Sequence, residues 1–424
     1  MLADDGAGPA WTRDGATRFG RWFVGRETNG RLGAGEGGER LSMLAKRYNT
    51  LVYFGQGCFL AYYVIAFRQA GLPLAVIAVA NSLFDITSVV CELPTSVLFD
   101  KWSGRRIMIM GAAARLAGFM CFLVDSSNLG LVVAGELLTG FGSSTETGAA
   151  SALYVAEQEA REREEGYATR TETKLAELGE AVGLSVIAGG VVGALLYAVS
   201  PSLIWVGAGA AYLLAIVTLA RMPEMTVAHD EATSLRSLMR DMRRAVAGGV
   251  RVPECWMVVA LDVGAMSMAM LWPLLLGNDY GTMWLQLIGL VAMNGGSALA
   301  GRLGRRFEST PGRIVLYLFV DAVGLAVVAW SGNDAALLAV FFVHVCAHGL
   351  AMNVFCGKVY ARVAPDERAS VMSVVSLLAT LSIAILQPSV GLLGQSHLSL
   401  AAMRTMPVLL VPMIHVLAAR RRRS

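Results

Sequence analysis

The sequence predicts an all-α membrane protein whose twelve transmembrane helices form two bundles of six. Three observations predict this. The 424-residue chain is 55% hydrophobic and only 16% charged, with a mean hydropathy of +0.56, whereas a water-soluble domain has about a quarter of its residues charged. Apolar runs recur along the chain, each near the roughly 20 residues that a helix needs to cross about 30 Å of hydrocarbon. A polar linker over 222–253 divides those runs into two sets of six.

Residues 1–45 are rich in Gly, Arg and acidic residues without an apolar block, so they read as a disordered tail and not as a signal peptide or span. The first bundle, 46–221, holds runs that begin near Asn49, Leu72, Arg106, Leu129, Lys174 and Ser202. The second, 254–419, holds runs that begin near Glu254, Tyr280, Gly312, Asp334, Arg368 and His397, and 420–424 form a basic tail. An even number of spans places both termini on one side. Of the 35 basic residues, the connections on the opposite side carry only Arg68 and Arg404. Basic residues beside spans are retained in the cytoplasm, so both termini are expected there. The arginine-rich composition and the lack of sorting signals point to a bacterial inner membrane.

In the linker, Leu235, Leu238, Met239 and Met242 share one helical face while arginines occupy the other. That pattern fits a helix lying on an anionic leaflet, or equally a solvated connector between bundles. Segment 157–165 mixes charges of both signs and reads as a surface helix. In the fifth run, Ala181, Ser185, Gly189 and Gly193 recur every four residues, a small-residue stripe that lets membrane helices approach closely.

Several function classes are excluded. The six cysteines show no CxxC spacing, so neither a disulfide framework nor a structural zinc site is expected. No Gly-x4-Gly-Lys-Ser/Thr loop is present to hold nucleotide phosphates. The formal charge of +3 is explained by membrane orientation and not by nucleic acid. No enzymatic activity and no cofactor are expected.

Chemistry is expected at ionisable residues inside the spans, because each costs about 2.5–3.5 kcal/mol at mid-bilayer on insertion scales and persists only with a partner, a wet cavity or a function. These are Asp85, Glu92, Arg115, Glu136, Glu146, Glu177, Glu180, Asp262, Asp321, His344 and His348. Asp85 and Glu92 lie seven residues apart, about 10 Å along one helical face, and this vertical pair could pass a proton. In the alternative structural reading, Asp85 pairs with Arg115. His344 and His348 share a face at i, i+4 spacing and could carry protons, bind substrate or simply pack; with Met352 a metal site is conceivable, but too few ligands are present. Asp321 requires a partner on a neighbouring helix.

Between the second and third runs stands Glu92-Leu-Pro94-Thr95-Ser96-Val-Leu-Phe-Asp100-Lys101-Trp-Ser103-Gly104-Arg105-Arg106. This stretch resembles the signature loop of major facilitator superfamily transporters, with Ser96 at the usual Gly. A second copy, Ser297 to Arg306, has Gly301 at the place of Asp100. Further resemblance at Thr147 to Tyr154, Met222-Pro223-Glu224 and Pro365 to Ser373 extends it over roughly 48–418. The Gly189-Gly190 pair is similar to part of a motif of the drug antiporter branch, whose Pro is missing here.

The resemblance implies two pseudo-symmetric bundles around a central cavity, lined from the first, fourth, seventh and tenth spans. It thereby points to Gln56, Tyr62, Tyr63, Glu136, Glu146, Trp272, His344, His348 and Asn353 as cavity residues. Asp85, Glu92 and Asp262 are the candidates for proton coupling. Asp100, Lys101, Gly104, Arg105 and Arg106 would form the cytoplasmic gating loop. The expected function is secondary active transport of a small molecule by a monomer in the lipid bilayer, with protons exchanged for export of an amphipathic or cationic compound. Uptake of a nutrient by proton symport is the alternative, as is a non-transporting receptor or assembly protein of the same fold.

Overall fold

The apolar runs fold as helices because, in lipid, each backbone N–H and C=O must find its partner within the segment. The computed structural model describes residues 36–101, 104–146, 171–222, 251–276, 283–304, 310–330, 334–363 and 368–421, with positions 240 and 306. The tail before residue 36, the segment 147–170, the linker helix expected at 235–244 apart from position 240, and the last three arginine and serine positions lie outside the described residues.

The first span is Glu36–Leu60 followed by Tyr63–Gln69, with a bend of 42° between the two pieces. Its helix starts upstream of the boundary expected at residue 46. Ala45, Tyr48 and Val52 continue one buried stripe at i, i+3 and i+7, and this extends the helix into sequence that composition alone assigns to the tail. The second to sixth spans are Leu74–Lys101, Gly104–Val124, Leu129–Glu146, Thr171–Val199 and Leu203–Ala220. The seventh to eleventh are Pro253–Leu275, Met283–Gly304, Pro311–Trp330, Asp334–Arg362 and Arg368–Gly394. The twelfth is broken into Leu398–Ala402, a 3₁₀ turn at Met406–Leu409, and Leu410–Arg421. Among the described residues, ten helices are long and apolar enough to cross a membrane, and the bent first pair makes an eleventh. The helix Leu129–Glu146 is not among these: it is 18 residues long and carries two glutamates.

The packing repeats with a period of six spans. In the first bundle the first span packs on the fifth and sixth, the third on the fourth and sixth, and the second on the fourth. The second bundle repeats each pairing: seventh on eleventh and twelfth, ninth on tenth and twelfth, eighth on tenth. Across the two bundles the second span meets the eleventh and the fifth meets the eighth, which are again equivalent under the same shift.

Small residues set these distances. A Cβ on Gly57, Gly189 or Gly193 would overlap backbone of Val186, Phe54 or Cys58, so the expected stripe of the fifth span lies directly against the first. Between bundles, Gly190 faces Leu287 and Leu290, while Gly391 and Gly394 face Leu74, Ala75 and Ala78. These contacts all lie in the half of the molecule that holds the turns at 70–73, 125–128, 200–202 and 395–397. The short segment Tyr63–Gln69 reaches the seventh span in that same half.

Candidate functional site

Polar residues inside the bundles gather at three places. The first is within the N-terminal bundle. Gly111, Gly118, Gly135 and Gly142 allow the third and fourth spans to approach so closely that a side chain at Gly142 would collide with Arg115. This packing fixes depth and places Glu146 Oε2 3.2 Å from Arg115 Nε. Tyr212 of the sixth span donates its hydroxyl to the same carboxylate oxygen at 3.2 Å. The guanidinium also lies over the rings of Phe84 and Tyr212, 5.8 and 5.6 Å from their centroids, an arrangement that favours a desolvated cation.

Arg115 therefore pairs with Glu146, and the alternative pairing with Asp85 is not formed. Phe84 is the residue over which the guanidinium sits, and Asp85, the next residue, points about 100° away around the helix. Tyr62, expected in the cavity, is fully buried instead. Its ring stacks on Tyr197 with centroids 5.4 Å apart, and its hydroxyl donates to the Gly190 carbonyl at 3.3 Å. It joins the first span to the fifth.

The second place is the contact between bundles. Gln387 of the eleventh span donates from Nε2 to Asp85 Oδ2 at 2.8 Å. Its carbonyl end lies 3.4 Å from Ser82 Oγ, whose hydroxyl also donates to the Ala78 carbonyl at 2.9 Å. Nearby, Asn81 donates to the Tyr63 hydroxyl at 3.0 Å. Buried Glu136 lies within electrostatic reach of both Asp85 and Arg115. Glu92 is half-buried two turns along the same helix as Asp85. Gln56 is half-buried on the first span. Sequence reasoning did not select Gln387, Ser82 or Asn81; the signal it could have used is amide and hydroxyl residues within otherwise apolar runs.

The third place is within the C-terminal bundle. Asp321 of the ninth span has no solvent exposure. His344 Nδ1 stands 2.7 Å from Asp321 Oδ1, and His348 Nδ1 is hydrogen-bonded to Oδ2 at 3.0 Å. The partner required for Asp321 is thus the histidine pair itself. Asp262 of the seventh span lies within electrostatic reach of His348. Trp272 is buried and stacks on Phe341, with ring centroids 5.5 Å apart, and Phe341 in turn borders His344. Asn353, two turns from His344 along the same helix, is exposed. Among the described residues no group of His, Cys, Asp and Glu is arranged to hold a metal ion.

At the opposite end of the molecule, Arg362 Nη1 meets Glu254 Oε2 at 2.5 Å, with His415 3.7 Å from the other oxygen, so one carboxylate joins the seventh, tenth and twelfth spans. Of the expected gating loop, Gly104 is buried, Arg106 is exposed, and Arg105 donates to the Met222 carbonyl at 2.7 Å, capping the sixth span. Asp100 and Lys101 continue the second helix, but their side chains are outside the described residues.

Two six-helix bundles related by a repeat, touching through a few polar residues and carrying buried acids, define a multi-pass membrane transporter and not an enzyme. The chain belongs to the Major Facilitator Superfamily, which matches residues 49–387. Among solved structures it is similar to a mutant of the nucleoside transporter NupG, with a TM-score of 0.69, 15% identity, and coverage of 89% of this chain and 99% of that one. Unmutated NupG gives 0.67, 13%, 89% and 96%. The human organic anion transporter MFSD10 (TETRAN) gives 0.58, 12%, 90% and 100%. At these identities the likeness is one of fold. No curated protein sequence matches the chain.

Proposed function

We propose that this protein is a proton-coupled secondary transporter, drug-exporter-like, that moves a small amphipathic or cationic solute out of the cell as its bundles rock about a central site. The observation that carries this reading is the hydrogen bond from Gln387 to Asp85 across the bundle contact. An ionised carboxylate makes a charge-assisted bond that a neutral acid cannot match. Such bonds contribute about 1.5–3 kcal/mol, so proton binding at Asp85 changes the bundle equilibrium by roughly 10- to 100-fold. A ligand that competes for the same acid is thereby exchanged for the proton.

Asp85, Glu92, Glu136 and Asp262 supply acidic groups without an unpaired arginine among them, which favours a cation. With basic loops in the cytoplasm, the bundle contacts described above lie on the outer side, which supports a transporter that receives its substrate from inside. Asp262 serves as the second-bundle coupling acid, and Asp100, Lys101, Gly104, Arg105 and Arg106 form the cytoplasmic gate.

The test is flux in proteoliposomes under an imposed proton gradient, with tetraphenylphosphonium, ethidium and a nucleoside panel as probes. We expect gradient-driven cation movement that Asp85→Asn abolishes while substrate exchange without a gradient persists. Unchanged gradient-driven transport after Asp85→Asn, Glu92→Gln and Asp262→Asn, each in turn, overturns the coupling assignment. Accumulation in right-side-out vesicles identifies proton symport and uptake. Absence of flux for every probe class supports the non-transporting reading.

A further inference from the structure

We infer that Asp321, His344 and His348 form a buried proton-binding site within the C-terminal bundle, separate from the bundle contact and entered from Asp262 through His348. The inference rests on the transport reading only for its use in coupling; the site itself stands on geometry.

The first ground is hydrogen-bond valence. A carboxylate accepts at both oxygens and has nothing to donate. Because His348 Nδ1 is hydrogen-bonded to Oδ2 at 3.0 Å, that Nδ1 carries the hydrogen and its Nε2 is left with a lone pair, while His344 Nδ1 stands 2.7 Å from Oδ1. A proton arriving at Nε2 converts a neutral ring to imidazolium without disturbing its contact with Asp321. The N–H bond formed at Nε2 replaces the O–H bond that the proton leaves on Asp262, and no other reactant is needed.

The second ground is charge. With both rings neutral, Asp321 is a fully buried anion, and an unneutralised ion costs several kcal/mol after relaxation. One proton on the pair brings the trio to neutrality, and a second leaves it cationic. The site therefore holds one proton and releases it only when another charge intervenes. Among the described residues, the groups on the elements packed against it are these. From the seventh span comes Asp262, within reach of His348. The twelfth span, which packs on the ninth, directs His415 to Glu254 instead. The eighth, which packs on the tenth, carries Arg302 at its exposed end.

The third ground is access. Asp262 is half-buried, the His348 side chain is 19% exposed, that of His344 is 5% exposed, and that of Asp321 is sealed. Exposure thus falls from His348, half-buried like Asp262, through His344 to the carboxylate, the order required of a path into a closed site. The bundle is built to make this contact: Gly324, one turn beyond Asp321, would place a Cβ 2.9 Å from His344 Cβ, tighter than ordinary packing allows. Binding of a cation beside Asp262 would withdraw the negative charge that helps hold the proton on His348, and the proton would leave as the solute enters.

The experiment is ¹⁵N-histidine NMR of the full chain in phosphatidylcholine–phosphatidylglycerol nanodiscs, titrated from about pH 8 to about pH 5, where imidazole charge changes occur. We expect hydrogen on Nδ1 of His348 and uptake of a proton at its Nε2 as acid is added. Asp321→Asn, which keeps the shape, should lower the proton affinity of His348 at least tenfold, and Asp262→Asn should lower it as well. Rings that hold one charge state throughout, or a titration unaltered by Asp321→Asn, overturn the inference. Asp85→Asn separates the two readings. If histidines are silent but Asp85→Asn abolishes gradient-driven flux, the trio is structural and the transport reading survives. If the histidines titrate as expected but no flux is found, the site stands and the transport reading fails.

Discussion

Gln387 of one bundle and Asp85 of the other are joined at 2.8 Å, and Ser82 Oγ lies 3.4 Å from the far end of the same amide. This bond lies beside the close contacts of Gly391 and Gly394 with the start of the second span. It therefore adds a polar latch to a seam that is otherwise sealed by van der Waals packing.

Replacing Gln387 by Ala removes the donor to Asp85. We expect the latched arrangement to become less favourable by about 1.5–3 kcal/mol, visible as a longer distance between spin labels on the second and eleventh spans in electron–electron resonance. An unchanged distance distribution would show that the glycine contacts alone keep the seam closed.

Arg115 and Glu146 are buried together, so removing one partner leaves an uncompensated ion. Arg115→Leu should destabilise the protein by about 3–5 kcal/mol, and Arg115→Leu with Glu146→Leu should recover most of that loss. Thermal unfolding of the detergent-solubilised protein measures both; equal midpoints for single and double variants would refute the coupling.

Gly193 and Gly183 belong to the same helix but differ in surroundings. A Cβ at Gly193 would overlap Cys58 backbone, whereas Gly183 has nothing within 4 Å. Gly193→Val should cost about 1–3 kcal/mol or more through overpacking, and Gly183→Val should be tolerated. Yields of monodisperse protein in size-exclusion chromatography compare them directly.

In the turn after the third span, the hydroxyl and the backbone N–H of Ser127 both donate to Asp125, at 2.6 and 2.9 Å. These bonds hold its carboxyl below the usual aspartate range. Since the folded value is depressed, the stabilisation is present above the unfolded value and is lost as pH falls through the folded one. Carboxyl chemical shifts followed by NMR should show Ser127→Ala moving the titration part of the way back toward the ordinary aspartate range, since the backbone N–H still donates; identical curves would contradict the assignment.

Hydropathy made the number of spans and their grouping legible, because lipid imposes a length and an internal hydrogen-bond requirement on any crossing segment. Breaks inside spans were less legible. The interruption after Leu60 and the irregular turn at Thr405 occur within apolar sequence; Thr405 is held by Ser267 at 2.8 Å and the Gly264 carbonyl at 3.0 Å, contacts that need the seventh span to be in place.

Ionisable residues could be picked out one at a time by their cost, but not their pairings. Whether Arg115 meets Asp85 or Glu146, and whether Asp321 meets His344, depends on the rotation and depth of two helices at once. Glycine spacing on the third and fourth spans contained that information, as collisions and not as charges. Tyr62 was drawn toward the cavity by the number of its span, whereas its position in the helix break turns it to the fifth span.

That break has a mechanical consequence. The piece beyond it, Tyr63–Gln69, rests on the seventh span, while the piece before it is bound to the fifth and sixth. One transmembrane segment is thus anchored to both bundles. The break at Ala61 and Tyr62 lets the two pieces follow different neighbours, the upstream piece the fifth and sixth spans and the downstream piece the seventh.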